Sequence, residues 1–320
     1  MTRKKVLVTG ASGYIGKQLG ERLAGEMPVV GVDIHPRPAT FPIFKLDICD
    51  AALGELMRAE AVTHVVHLAS VMAAGRDRAA EYRIDVEGTE NVLRACLTAG
   101  VEHVTVTSSG AAYGYHPDNP EWLEERHPLR GNPEFGYSDN KRLVEEMLAA
   151  YREQYPQLKQ LVFRPCSVIG ATTKSKIAEL FSGSAILDPG GHNSPFVFIW
   201  DQDVVRAIEF GVDRNASGIF NLAGDGALTP REIAARLDKP LRTPPVWLVK
   251  MLLGTGYTLH LTDKQPEQVK FLQYRPVLCN RRLKEELGFI PQKTSAEAFD
   301  FFAREALKLE PVRQPVGDSA

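Results

Sequence analysis

Tyr137 and Lys141 stand four residues apart, a spacing that puts a phenol and an ammonium on one face of a helix. There the ammonium favours the phenolate, and Tyr137 can exchange a proton with a carbinol or carbonyl oxygen. Taken alone the pair also fits an exposed tyrosine beside a solvated lysine, and the same spacing recurs at Tyr155 and Lys159. Pro156 separates the two cases, because a proline directly after the tyrosine breaks or ends the helix that would align the side chains. From Tyr137 to about Tyr151 the helical pattern is uninterrupted, with Leu143, Val144, Met147 and Leu148 available to pack. A hydroxyl cluster, Thr107-Ser108-Ser109, closes an apolar run upstream, at the kind of strand end where open parallel sheets place their ligands. A plain strand-end turn is the alternative reading of those serines.

A second kind of chemistry is written in Val6-Leu7-Val8-Thr9-Gly10-Ala11-Ser12-Gly13-Tyr14-Ile15-Gly16, an apolar strand running into a glycine-spaced turn and a helix. Gly10 takes the tight turn, Gly13 lets the backbone approach a pyrophosphate, and Gly16 lets the helix pack on the strand, with Tyr14 and Ile15 in the same cofactor-binding turn. The next run, Val29 to Val32, ends at Asp33, about 20 residues on, where a carboxylate can accept bonds from both ribose hydroxyls of adenosine. Asp33 favours NAD, since a 2′-phosphate would face a carboxylate. Arg37 is the one nearby residue that can admit NADP. The alternative is a turn aspartate with no ligand.

Positioning these groups needs a sheet. Apolar runs at Val6–Val8, Val29–Val32, Ile43–Leu46, His64–Leu68, His103–Thr107 and Leu161–Phe163 alternate with helical patterns, which requires parallel strands with crossover helices. Ala80 to Ala99 reads as one long helix ending at Gly100, and Gly218 to Leu222 as a late strand returning to the sheet. After Pro165 the pattern loosens into proline-marked pieces. The expected fold is α/β: a Rossmann-type doubly wound parallel sheet with a smaller C-terminal substrate lobe. Residues 1–165 and 201–224 would form the NAD-binding domain, 166–200 and 225–309 the lobe, and 310–320 a frayed tail.

Composition fits an enzyme-sized globule. The 320 residues are 44% hydrophobic and 24% charged, and 38 basic against 40 acidic residues leave a net charge of -2 with no pull toward nucleic acid or anionic lipid. Cys49, Cys96, Cys166 and Cys279 are scattered without a Cys-x-x-Cys pair, which suits reduced thiols in a cytoplasm. The apolar run after Arg3-Lys4-Lys5 stops at Thr9, too soon for a leader peptide, and Val246 to Leu253, interrupted by Lys250, is too short to span a bilayer. The eight histidines lie apart, so no metal site is expected, and His67 reads as a sheet-core histidine.

In order along the chain, Thr9 to Gly16, Asp33, Asp47-Ile48, His67-Leu68-Ala69, Gly88-Thr89, the serine strand, Tyr137/Lys141, Arg164-Pro165 and Phe220-Asn221-Leu222-Ala223-Gly224 carry a resemblance. The chain resembles extended short-chain dehydrogenases/reductases of the NAD-dependent epimerase/dehydratase family. That resemblance implies that Ser109 polarises the substrate oxygen and Tyr137 is the general acid/base. It implies that Lys141 eases ionisation of the tyrosine and holds the nicotinamide ribose, with hydride moving between substrate carbon and nicotinamide. It implies further that Asp47 and Ile48 flank the adenine, that Leu68, Ala69 and Ser70 line the cofactor backbone, and that Val168 helps fix the carboxamide. It also implies a homodimer paired through helices spanning 80–99 and 134–151.

Departures from the family pattern narrow the reaction. Gly110 and Ala111 replace the acids that family dehydratases carry after the catalytic hydroxyl, which argues against dehydration. Ser167 and Phe196 stand where sugar-nucleotide members carry an asparagine and an arginine that grip a diphosphate, and Trp200 replaces a histidine. Asp85 stands where many members have an asparagine, which puts any proton relay through that position in doubt. Phe196, Phe198 and Trp200 would then line a pocket for an apolar small-molecule guest, unless they are ordinary packing between lobes. The leading expectation is an NAD-dependent dehydrogenase/reductase acting on a secondary alcohol or ketone of a non-nucleotide, partly apolar substrate. A nucleotide-sugar epimerase is the alternative, and a dinucleotide-sensing protein without turnover the third.

Overall fold

A computed structural model describes residues 4–71, 77–173, 176–262 and 265–310. The strands among the described residues are β1 (Val6–Thr9), β2 (Val29–Asp33), β3 (Ile43–Lys45), β4 (His64–His67), β5 (His103–Thr107), β6 (Lys159–Pro165), β7 (Ser167–Ile169), β8 (Ile186–Leu187), β9 (Phe198–Trp200), β10 (Gly218–Leu222) and β11 (Leu241–Arg242). The helices are α1 (Tyr14–Ala24), α2 (Ala52–Ala59), α3 (Arg78–Tyr82), α4 (Gly88–Ala99), α5 (Gly136–Gln154), α6 (Lys176–Ser182), α7 (Asp201–Asp213), α8 (Pro230–Arg236), α9 (Val246–Thr258), α10 (Lys270–Gln273) and α11 (Ser295–Glu305).

Seven strands make one sheet in the order β10-β6-β5-β4-β1-β2-β3, and every pair in it is parallel. The order turns at β1, which is where a parallel sheet opens a crevice at its carboxyl edge. Apolar residues face both ways because helices cover both faces. Val6 and Val8 join Leu19, Leu23, Val205 and Ile208 on one side, while Leu7, Val65 and Val104 meet Leu53, Leu93, Val144 and Leu148 on the other. A further core gathers Ile169, Phe181, Phe196, Phe198, Phe299 and Phe302 around the paired strands β7 and β9. This is the Rossmann-type α/β architecture expected from the strand pattern.

The helix expected at 80–99 is longer and less regular. It starts at Arg78, capped by Asp77, whose carboxylate accepts from the Ala80 N–H at 2.9 Å. A π-helical turn at Arg83–Glu87 then widens it and buries Asp85 before α4 resumes. Gly100 stops it at φ 71°, as a left-handed C-cap requires. The tail expected to fray lies outside the described residues beyond Glu310.

Three histidines sit inside this sheet. Burial holds His64, His67 and His103 below the ordinary 6.5, His67 to about 3 and His103 to about 4. Unfolded, each binds a proton near pH 6.5; folded, each refuses it. Their contribution to stability is therefore full above that pH and is lost progressively as the pH falls toward the folded values. Urea unfolding at about pH 7 and about pH 4.5 should show this loss, reduced in His103→Gln, which keeps a donor for the Ala216 carbonyl. A pH slope unchanged by that substitution would assign the acid loss to carboxylates alone.

Candidate active site

The glycine turn is built backbone against backbone. Gly10 adopts φ +65°, and a Cβ there would stand 2.9 Å from the Ala69 nitrogen; one on Gly16 would stand 2.1 Å from the Gly10 oxygen. No side chain fits between β1, the turn and α1, so the first N–H groups of α1 open onto the sheet's crevice. Asp33, at the end of β2, accepts from the Ser12 N–H at 3.0 Å and the His35 N–H at 2.9 Å. Each carboxylate oxygen keeps acceptor capacity for a ribose hydroxyl. This cradle and carboxylate fit a dinucleotide. Arg37 is exposed, with its backbone N–H on the Ser12 hydroxyl at 2.9 Å. Tyr14 turns away from the cradle: its phenol donates to Asp201 at 2.5 Å and meets the Thr173 hydroxyl at 3.0 Å, tying α1 to α7. Burial, then Asp201, raises that phenol well above its ordinary range. Ile15 is half-buried against the core.

The Thr9 hydroxyl organises the crevice floor. It accepts from the Leu68 and Ala69 N–H groups, each at 3.2 Å, so its own proton points to His67 Nδ1 at 2.7 Å. His67 is then the neutral Nε2–H tautomer and donates to Thr89 at 3.0 Å, which passes its proton to the Asp85 carbonyl at 2.5 Å. Burial and the nearby Lys141 charge keep that imidazole neutral. Ser70 donates to Asp85 Oδ1 at 2.8 Å, while Oδ2 of this buried carboxylate has no partner. Asp47 accepts from the Cys49 N–H at 2.9 Å and pairs with Arg83 at 3.2 Å; the Cys49 bond is the main reason its carboxyl lies below the usual range. Ile48 is buried beside it, and Val168 lies half-buried on β7.

The two serines part company. Ser108 donates to the buried carboxylate of Glu145 at 2.6 Å, and Glu145 forks onto Arg164 at 2.5 to 3.0 Å. Arg164 continues to the Tyr113 hydroxyl at 2.7 Å, which reaches Asn221 at 2.9 Å. Ser109 instead caps a short 3-10 turn, accepting from the Ala111 N–H at 3.1 Å. Tyr137 opens α5, half-buried, and the Lys141 Nζ lies 5.7 Å from its ring centre and 3.4 Å from the Thr107 carbonyl. Ser138, next to Tyr137, donates to the Ala111 carbonyl at 2.7 Å, so the helix carrying the phenol is bonded to the turn carrying Ser109. Tyr155 lies just past α5, as Pro156 dictates.

The apolar pocket expected beside Phe196, Phe198 and Trp200 is filled by protein. Phe196 and Phe198 stack at 5.6 Å and meet Phe181, while Trp200 packs on Phe301 under the Lys293 ammonium. Residues two apart on a strand share a face, and here that face belongs to the core with α11. One face of Phe196 is left, and the Arg275 guanidinium covers it at 3.4 Å. Sequence reading missed Arg275: it stands far from Phe196 in the chain, within no local pattern. Its Nη1 donates to the Ser194 carbonyl at 2.6 Å, whereas Nε and Nη2 are buried without partners. Burial pushes its pKa down to about 9, against the Asp188 carboxylate. A row of rings, Phe135, Tyr115 and Phe271, leads from Tyr137 to this guanidinium in steps of 6.3, 5.7, 5.3 and 5.8 Å. Among the described residues no group of three His, Cys, Asp or Glu side chains is placed to hold a metal ion, and no helix is long and apolar enough to cross a membrane.

Sheet order, glycine cradle and acidic strand end together define a dinucleotide-binding α/β enzyme. The chain belongs to the NAD dependent epimerase/dehydratase family, matched over residues 6–223, and its cofactor is NAD. It is 26% identical over 345 positions to a UDP-glucose 4-epimerase of Rhizobium leguminosarum bv. trifolii, covering 95% of this chain and 99% of that one. It is 25% identical over 243 positions to the N-acetyl-alpha-D-glucosaminyl-diphospho-ditrans,octacis-undecaprenol 4-epimerase of Escherichia coli O157:H7, covering 74% and 72%. The fold matches the crystal structure of Brucella ovis UDP-glucose 4-epimerase in complex with NAD at a TM-score of 0.74 and 21% identity, covering 97% of this chain and all of that one.

Two outcomes follow from this geometry. NAD should bind more tightly than NADP, and Asp33→Ala should narrow the gap in titrations of both; equal wild-type affinities would hand the site to Arg37. Ser109→Ala and Tyr137→Phe should each keep NAD binding, with Tyr137→Phe lowering turnover by roughly 10² to 10⁴. Ser108→Ala should instead lower stability by about 1 to 3 kcal/mol, because it removes a donor from the buried Glu145 carboxylate. Equal turnover losses in the two serine variants would contradict the division between them.

Proposed function

We propose that this enzyme epimerises a secondary hydroxyl on a sugar carried by a diphosphate. The observation that carries the reading is Arg275: a guanidinium nine-tenths buried, with two nitrogens unpartnered, one row of aromatic rings from Tyr137. A buried cation with free donors is costly unless an anion completes it, and a diphosphate offers the oxygens. Arg275, stacked on the Phe196 ring, would then supply the diphosphate anchor that Phe196 itself lacks. The named activities of the Rhizobium, Escherichia and Brucella proteins, all sugar 4-epimerases, support the same reading.

In this proposal bound NAD supplies the hydride acceptor and, once reduced, the donor. Ser109 donates a hydrogen bond to the reacting oxygen. Tyr137 takes the hydroxyl proton as that carbon becomes a ketone and returns it to the oxygen when the opposite configuration forms, so no net oxidation results. Lys141 supplies positive charge beside the phenol, and Arg275 holds the diphosphate while the sugar turns. Supplied with NAD and UDP-glucose as probe, the wild type should give an epimeric mixture without accumulating NADH. Arg275→Met should raise KM roughly 10- to 100-fold, the loss of charge-assisted bonds to an anion. Stoichiometric NADH with a released ketone would favour the dehydrogenase reading, and an unchanged KM would remove Arg275 from the substrate site.

A further inference from the structure

Helix α9 is apolar on every side yet has no buried residue. Its sequence, Val-Trp-Leu-Val-Lys-Met-Leu-Leu-Gly-Thr-Gly-Tyr-Thr, contains one charge, Lys250. Trp247, Met251 and Thr255 follow one another at four-residue spacing, and Leu252 and Leu259 form the adjoining row; Lys250, beside Trp247, is the one charge exposed on the helix. Trp247 is 67% exposed, Met251 52% and Leu252 62%, and Leu261 beyond the helix reaches 79%. A helix apolar all round belongs in a protein core or in lipid.

The charge around it points the same way. Between Asp238 and Asp263 the chain has three cations, Lys239, Arg242 and Lys250, plus His260, and no further carboxylate, in a protein whose net charge is -2. Lys239 is tied to the Phe181 carbonyl at 2.6 Å, whereas Arg242 and Lys250 are exposed. A tryptophan near one end, a tyrosine near the other, and two cations on long stems, Arg242 before the helix and Lys250 within it, suit a helix lying in a headgroup layer. A second copy of this chain would bring the same cations against themselves. The helix also adjoins the substrate side: the Gly190 N–H donates to the Pro244 carbonyl at 3.0 Å, just before α9, and the Gly190 turn begins at Asp188, the carboxylate nearest in charge to Arg275.

We infer that α9 docks this enzyme on an anionic phospholipid leaflet, lying in the plane of the interface with Trp247, Met251 and Leu252 among the acyl chains. A helix in that plane needs no span of bilayer length, so the shortness of Val246–Leu253 is no obstacle. Docking and epimerisation are separable, because α9 holds none of the side chains assigned to the chemistry.

The test is cosedimentation of the full chain with vesicles of phosphatidylethanolamine and phosphatidylglycerol, read together with tryptophan fluorescence. The wild type should pellet with these vesicles, less with phosphatidylcholine alone, and its emission should shift to the blue. The double variant Met251→Glu/Leu252→Glu should lose at least tenfold in vesicle binding while NAD still raises its melting temperature as in the wild type. Conversion of UDP-glucose by both proteins reports separately on the epimerase reading. A wild type that stays in the supernatant, or a double variant that pellets equally, overturns the inference. So does a double variant whose main change is dissociation of a wild-type dimer, which would make a second copy the occupant.

Discussion

The buried carboxylate of Glu145 is the joint on which the candidate site depends. It accepts from Ser108 on one side and from the forked guanidinium of Arg164 on the other, both out of contact with water. Two full turns of helix separate Glu145 from Tyr137, with Lys141 midway, so one ion pair fixes the rotation of α5 against the ends of β5 and β6. Such a pair adds little net stability over apolar packing, but removing one partner leaves an unpaired buried charge worth about 3 to 5 kcal/mol. Its use here is geometric: it sets where the phenol and the ammonium stand relative to Ser109.

Much of this was legible in the chain because it rests on local rules. Strand boundaries followed apolar runs bounded by turns, Gly10 to Gly16 read as a cradle because only glycine tolerates the observed approaches, and Pro156 correctly placed Tyr155 beyond the helix. Glu145 could have been read too, since it continues the four-residue series of Tyr137 and Lys141. The π turn at Arg83–Glu87 had no local signature; it exists because Asp85 is drawn inward to bond Ser70 and the Val71 N–H.

Side-chain partnership across long stretches of chain was not legible. Phe196, Phe198 and Trp200 read in sequence either as the lining of an apolar pocket or as packing between lobes, and α11 decides for packing by supplying Phe299 and Phe302. The cation stacked on Phe196 stands on a loop after α10, held there by Ser194, whose hydroxyl and carbonyl both bond Arg275. Charge and aromatic surface were treated as alternatives in sequence; in space they are stacked.

The last strand of the sheet has a consequence for how the chain reaches this state. β10 pairs with β6, Gly218 beside Leu161, and everything from β7 through α7 lies between them. Until that whole excursion has been made and α7 has settled against α1, β6 presents a bare row of amides and carbonyls at the margin of the sheet. The strand that anchors Arg164 is thus covered late in the chain, and a nascent chain ending near Pro165 would present β6 as an edge open to pairing with other chains.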